Sequence, residues 1–220
     1  MKRAWNSAAV ALLAVTAWGA GGAAEPRLLG KWSFEPPSAQ ANAVAGGPAA
    51  VIEGATASEG REGKGLAFED WSVKNYLKPD PRQATRVVIT DGADGRLNPP
   101  LPFRISAWIH PTADPIYYGG IVEKGRGLGS SYRLLLLRGL KVQASVGERH
   151  IVVRSPSPLS LNAWHQVGLR AGGGTLSLWV DGQQVASAPL PPDVKLTSGD
   201  PIVVGDRFSG RIDEVELSAE

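Results

Sequence analysis

Three groups of residues in this sequence have the chemistry to hold or change a ligand. The closing segment alternates Ile212, Glu214 and Glu216 with Asp213, Val215 and Leu217. Period-two geometry then puts the Asp213 carboxylate on the apolar side. Burying a carboxylate bare is costly, so Asp213 must accept backbone N–H bonds, pair with a base such as Arg207 or Arg211, or bind a metal. The aromatic residues Trp71, Tyr76, Tyr117, Tyr118 and Trp179 form the second group. A sugar stacks its apolar C–H face on an exposed ring while neighbouring polar groups bond its hydroxyls. Trp179 faces away from Leu178 and Val180, which places its ring on the outer or the concave face of a sheet. The third group is the histidines His110, His150 and His165, which are scattered and accompany no G-x-S-x-G string, so structural roles are expected for them.

Other chemistries are excluded or weak. There is no cysteine, which removes thiol catalysis and Cys-ligated zinc. Thr90-Asp91-Gly-Ala-Asp94-Gly95 lacks the spacing and distal Glu of an EF-hand loop and reads as an Asx-type turn. Gly125-Arg-Gly-Leu-Gly129 sits between strands with no helix to follow, so it reads as a hairpin loop rather than a phosphate cradle.

The elements that must position these groups are short strands. From Leu28 onward apolar residues recur with period two in brief runs separated by Gly, Pro, Asn and Asp, and no stretch holds a helical spacing. Fourteen strand segments are expected: 28–35, 50–53, 65–68, 86–90, 102–110, 120–124, 132–137, 140–146, 150–154, 164–171, 175–181, 184–188, 202–205 and 211–217. The 220 residues include 27 Gly and 17 Pro, enough turn formers for a many-stranded sandwich with a core supplied by Leu134–Leu137, Val152, Val153, Val203 and Val204. Gly172–Gly174 and Asp181-Gly182 are turns that join three of these strands into a meander. Loops of two to four residues have no room for crossover helices, which rules out a parallel α/β sheet.

Lys2 and Arg3, an apolar run from Ala8 to Trp18 and the small cluster Gly21–Ala24 read as a secretory signal peptide, residues 1–24, cleaved before Glu25. The apolar run is too short to span a bilayer, so no membrane insertion is expected after cleavage. The whole chain carries a formal net charge of +2. Both excess bases lie in the leader, so the mature domain, residues 25–220, is close to neutral and lacks the electrostatic footprint of a nucleic-acid binder.

Six signatures in order give the chain a wider identity: Trp32-Ser-Phe-Glu35, Gly63-Lys-Gly-Leu-Ala-Phe-Glu-Asp70, Phe103-Arg-Ile-Ser-Ala-Trp-Ile-His-Pro111, Trp164-His-Gln-Val167, Leu176-Ser-Leu-Trp-Val-Asp-Gly182 and Gly210-Arg-Ile-Asp-Glu-Val215. Together they resemble the laminin G-like jelly roll of the concanavalin A-like lectin/glucanase superfamily. The resemblance implies an all-β, two-sheet antiparallel sandwich. It also implies that the first and last strands pair, bringing Glu35 toward Asp213; two carboxylates with loop carbonyls would suit a structural calcium ion. Residues 69–85 are an insertion against the family pattern, either an aromatic-bearing binding loop or a long turn with two hydrophobic feet. The superfamily's hydrolases carry paired carboxylates on a cleft strand. Here only Glu214 and Glu216 approximate that spacing, on the closing strand, so no catalytic residues are expected. The resulting expectation is a secreted, extracellular or periplasmic, non-catalytic module that binds glycan. The alternatives are a structural module that binds an extracellular or cell-surface protein, and a relative of glycoside hydrolases or polysaccharide lyases.

Overall fold

The computed structural model describes residues 26–36, 39–40, 44–70, 84–125, 131–196 and 198–220. The expected leader, Trp71 and Tyr76 of the insertion, and 126–130 of the glycine-rich hairpin loop lie outside the described residues. Within them every regular element is a strand. These are β1 (Arg27–Trp32), β2 (Ala50–Glu53), β3 (Thr56–Glu59), β4 (Lys64–Phe68), β5 (Arg86–Ile89), β6 (Phe103–Pro111), β7 (Tyr118–Lys124), β8 (Tyr132–Leu137), β9 (Lys141–Val146), β10 (Ile151–Arg154), β11 (His165–Gly172), β12 (Thr175–Val180), β13 (Gln183–Pro189), β14 (Ile202–Val204) and β15 (Gly210–Ala219).

The strands form two antiparallel sheets. The eight-stranded sheet runs β13-β12-β11-β6-β15-β4-β3, with β1 also on β15; the seven-stranded sheet runs β10-β9-β8-β7-β14-β5-β2. The last strand has β6 along one side and, along the other, first β4 and then β1. All fourteen expected segments recur, most with shifts of one or two residues at their ends. β3 is the addition: its Thr-Ala-Ser-Glu sequence is polar and mostly exposed, so it carries no apolar alternation to read.

The two expected turns are present. Val180 pairs with Gln183 across Asp181 and Gly182, whose φ angles of 49° and 78° are the positive pair that a twisted two-residue hairpin needs. Gly172 pairs with Thr175 across Gly173 and Gly174 in the same way.

The core lies between the sheets. Phe103, Ile105, Ala107 and Ile109 of β6 meet Tyr132, Leu134 and Leu136 of β8, and the Phe103 and Tyr132 rings stand 5.5 Å apart. The expectation that Leu134–Leu137, Val152, Val153, Val203 and Val204 all fill this core is half corrected. Leu134, Leu136, Val153 and Val204 do. Leu135, Leu137, Val152 and Val203 have the opposite parity and stand on the outer face of the seven-stranded sheet.

Candidate functional site

That outer face carries a row of polar side chains. Register lines up Val203, Glu123, Arg133 and Ser145 in one row across β14, β7, β8 and β9. Their neighbours Val204, Val122, Leu134 and Ala144 form the matching row in the core. Tyr118 joins the outward set although it is five residues from Glu123. The β7–β8 register shifts between Gly120 and Val122, and a bulge there restores Tyr118 to the same face. The two glycines are required by their surroundings. A Cβ at Gly119 would press on the Phe208 backbone, and one at Gly120 would overlap the Glu123 carboxylate.

A cleft of about 560 Å³ opens on this surface, lined by Tyr118 and Glu123 of β7, Arg133 of β8, Val203 of β14, and Asp200, Pro201, Asp206 and Arg207 from the segments flanking β14. Arg133 and Glu123 are buried and paired at 2.6–2.8 Å. Burial pushes the Glu123 carboxyl above the usual carboxylate range, and the Arg133 guanidinium opposes the rise. The guanidinium carbons of Arg133 and Arg207 lie 5.6 and 5.5 Å from the Tyr118 ring centroid, within cation–π range. The ring is therefore held in place while remaining only half-buried.

The cleft wall at Asp200 is tied down from beneath. Lys124 has core parity and is fully buried, and its Nζ donates to the Asp200 carbonyl at 2.8 Å. Asp91 lies 3.8 Å from that ammonium and accepts from Leu97 N and Asn98 Nδ2. Asn98 in turn accepts from Ser198 N. The Asp91–Gly95 segment behaves as the turn expected of it, with Asp94 Oδ1 accepting from Arg96 N.

The structure divides the remaining sequence-derived candidates. Tyr117 is 58% exposed beside Tyr118. Trp179 does face outward, opposite Gly168, but on the eight-stranded sheet, so it cannot share a surface with the tyrosines. Asp213 is buried for a reason other than the one its parity suggests. Between Asp213 and Glu216 the β15–β6 register slips and Glu214 takes φ 48°; this bulge puts Asp213 opposite Trp108 on the outer face, with Ile212 and Val215 in the core.

The hairpin between β3 and β4 then covers Asp213. Arg61 N and Glu62 N donate to Oδ2 at 2.8 and 3.2 Å, Glu214 N to Oδ1 at 2.8 Å, and the Arg61 guanidinium lies over the Trp108 ring. Glu35 grips the other end of the same hairpin, accepting from Lys64 N at 2.8 Å. As the resemblance implies, β1 and β15 pair; the two carboxylates both hold backbone N–H groups of the β3–β4 hairpin. Four backbone N–H groups thus take up part of the acceptor capacity that a cation would draw on. Among the described residues no three His, Cys, Asp or Glu side chains come together as a metal set. Burial raises the Asp213 pKa to about 6, against the pull of its N–H donors.

Sequence reasoning missed Glu123, Arg133 and Asp206, and named Arg207 only as a partner for Asp213, whereas its guanidinium lies over the Tyr118 ring. The available signal was the opposite-charge pair Glu123 and Arg133, one on each strand flanking the glycine-rich hairpin loop.

The fold is shared with known proteins. The chain superimposes with TM-score 0.67 on domain 4 of AbnA, a GH43 extracellular arabinanase from Geobacillus stearothermophilus in complex with arabinotriose, at 14% identity over 89% of this chain and 94% of that one. It also matches the binding domain of Paraclostridial Mosquitocidal Protein 1 (TM-score 0.67, 13% identity) and that of Botulinum Neurotoxin DC in complex with SialylT (TM-score 0.68, 9% identity). It covers 88% of itself in each, and spans about half the length of those two chains. No curated protein sequence matches it. The family model described as the concanavalin A-like lectin/glucanases superfamily matches residues 84–219, more than half of the chain, and with the two-sheet jelly roll this shows that the protein belongs to that superfamily as a laminin G-like domain.

Proposed function

We propose that this is a secreted glycan-binding module whose ligand lies in the cleft on the outer face of the seven-stranded sheet, bound there without cleavage of its glycosidic bonds. The observation that carries the reading is the Tyr118 ring, held by two guanidinium groups over a cleft lined with donors and acceptors of both signs. A ring fixed in this way loses little freedom when a sugar stacks on it. Hydroxyl groups both donate and accept, and Arg207, Asp200 and Asp206 offer complements to each role. Because Glu123 neutralises Arg133, the cleft has no cationic excess to favour an anion, and a neutral oligosaccharide suits it best. Binding of arabinotriose by a neighbour with this fold supports the class of ligand. Trp71 and Tyr76, which lie outside the described residues, are proposed as further ligand contacts.

Titration calorimetry with arabinotriose and a panel of neutral and sialylated oligosaccharides tests the reading. Loss of one stacked ring, worth about 0.5–1.5 kcal/mol beyond its area, should weaken the best ligand of wild type about tenfold or more in Tyr118→Ala, with the melting transition nearly unchanged. A Tyr118→Ala variant that binds as wild type does would place the ligand elsewhere.

A further inference from the structure

Ser160, His165 and Asp181 are not among the residues that line the cleft and have no part in the proposed binding, yet they stand in one hydrogen-bonded line. Ser160 Oγ is 2.9 Å from His165 Nε2, and His165 Nδ1 is 2.8 Å from Asp181 Oδ2. For a neutral imidazole the order of atoms places the protons. An ionised carboxylate only accepts, so Nδ1 carries the hydrogen; Nε2 of the neutral ring is then the acceptor for the Ser160 hydroxyl. Asp181 is itself oriented: Gln166 N donates to its Oδ1 at 2.9 Å, and its own N donates back to Gln166 O at 2.8 Å. The serine's loop is fixed on both sides, by Leu159 N to Leu140 O and Asn162 N to Pro111 O, each 2.8 Å. Ser160 is exposed, and 14% of the His165 side chain is open to solvent.

We infer that Ser160, His165 and Asp181 form a nucleophilic relay that hydrolyses accessible esters, with acyl groups carried on a glycan as the substrate class. The class rests on the glycan reading above and on placement. Leu140 belongs to the β8–β9 turn, whose Arg138 N donates to Tyr117 O, so the relay lies at the end of the sandwich where Tyr117 and Tyr118 begin β7. An open site suits an ester projecting from a polymer held nearby. The step balances without a further reagent. Ser160 Oγ bonds to the acyl carbon as its proton passes to Nε2, and Asp181 steadies the imidazolium. The C–O bond to the sugar breaks, and its oxygen leaves with the Nε2 proton as the free hydroxyl. Water, deprotonated by Nε2, then releases the acid and restores Ser160.

The test uses a fluorophosphonate probe and p-nitrophenyl acetate on the purified protein. Imidazole attacks p-nitrophenyl acetate unaided, so the deciding variant is Ser160→Ala, whose exposed position leaves folding intact. A positioned general base contributes about 10²–10⁴-fold. Turnover should fall at least 100-fold in Ser160→Ala, with a comparable fall in His165→Gln and a smaller one in Asp181→Asn. Peptide mapping should place the probe on Ser160. An unlabelled Ser160, or a Ser160→Ala variant as active as wild type, overturns the relay. Acetate release from O-acetylated xylan tests the substrate class separately. Turnover of the small ester through Ser160 with no acetate released from the polymer would keep the relay and overturn its link to a glycan.

Discussion

Each sheet buries a carboxylate on its outward face, and the two are answered differently. Asp213 on the eight-stranded sheet is met by three backbone N–H groups and roofed by the β3–β4 hairpin. Glu123 on the seven-stranded sheet is met by the Arg133 side chain at the wall of an open cleft. Burial raises both pKa values, so perturbation alone does not separate a fastener from a site. The partner does. Backbone N–H groups that meet a carboxylate in a closed hairpin are satisfied by folding and leave nothing for a ligand. A side-chain pair beside a cavity leaves hydrogen-bonding capacity at a surface that a ligand can reach.

The largest test of that contrast is Asp213→Ala. Hydrogen bonds to a charged group contribute about 1.5–3 kcal/mol each and do not simply add, and water can reach the Arg61 and Glu62 N–H groups of the exposed hairpin once the carboxylate is gone; a loss of about 3 kcal/mol is expected in denaturant melts. Glycan affinity of the folded fraction should hold. A variant as stable as wild type would show that the hairpin does not depend on the carboxylate.

The sequence made the sandwich legible because alternation and turn residues are local properties. Asp181-Gly182 and Gly173-Gly174 announce their hairpins, and β6 alternates along its whole length. The bulges were not legible. One near Glu214 reverses the parity of Asp213, and one near Gly120 brings Tyr118 and Glu123 to one face. Each depends on what a partner strand and its neighbours require, which no run of apolar and polar residues encodes. The Asp213 expectation therefore reached burial by the wrong face. His165 and Asp181, sixteen positions apart, meet through the β11–β12 register, and Ser160 reaches the ring from the loop before β11.

A second test uses pH. The Asp213 pKa rises from 3.8 to about 6 on folding, so between those values the native state holds a proton that the unfolded chain has released. The contribution is present in full below pH 3.8 and is lost as pH rises through about 6, on the order of 2–3 kcal/mol. Asp213→Asn has no such titration. Its stability relative to wild type should rise from pH 4 to pH 7, and a constant difference would remove the burial argument.

Glycine substitutions sharpen the comparison with a smaller effect. Gly63 has φ 53°, and a Cβ there would overlap the Glu35 carboxylate. Gly63→Ala should cost about 1–2 kcal/mol from the left-handed backbone alone, with binding retained. Gly120→Ala pushes instead on Glu123, and its main effect should be weaker ligand affinity as the Glu123–Arg133 pair shifts. Equal effects of both on stability and none on affinity would erase the distinction between fastener and site.

The smallest expected effect is that of a chelator. Calcium takes six to eight oxygen ligands, whereas Glu35 and Asp213 here receive N–H groups from Arg61, Glu62, Lys64 and Glu214. To admit the ion the hairpin would have to withdraw those donors and turn carbonyls inward, giving up the bonds that close it. EDTA should therefore shift the melting temperature by less than about 1 °C. An ion bound at a hundred times its Kd would contribute about 2.7 kcal/mol, and each kcal/mol moves a domain of this size by about 2–4 °C. A drop of more than about 5 °C in EDTA, restored by calcium and absent in Asp213→Ala, would mean that the hairpin opens onto a metal and that this carboxylate pair, too, is a site.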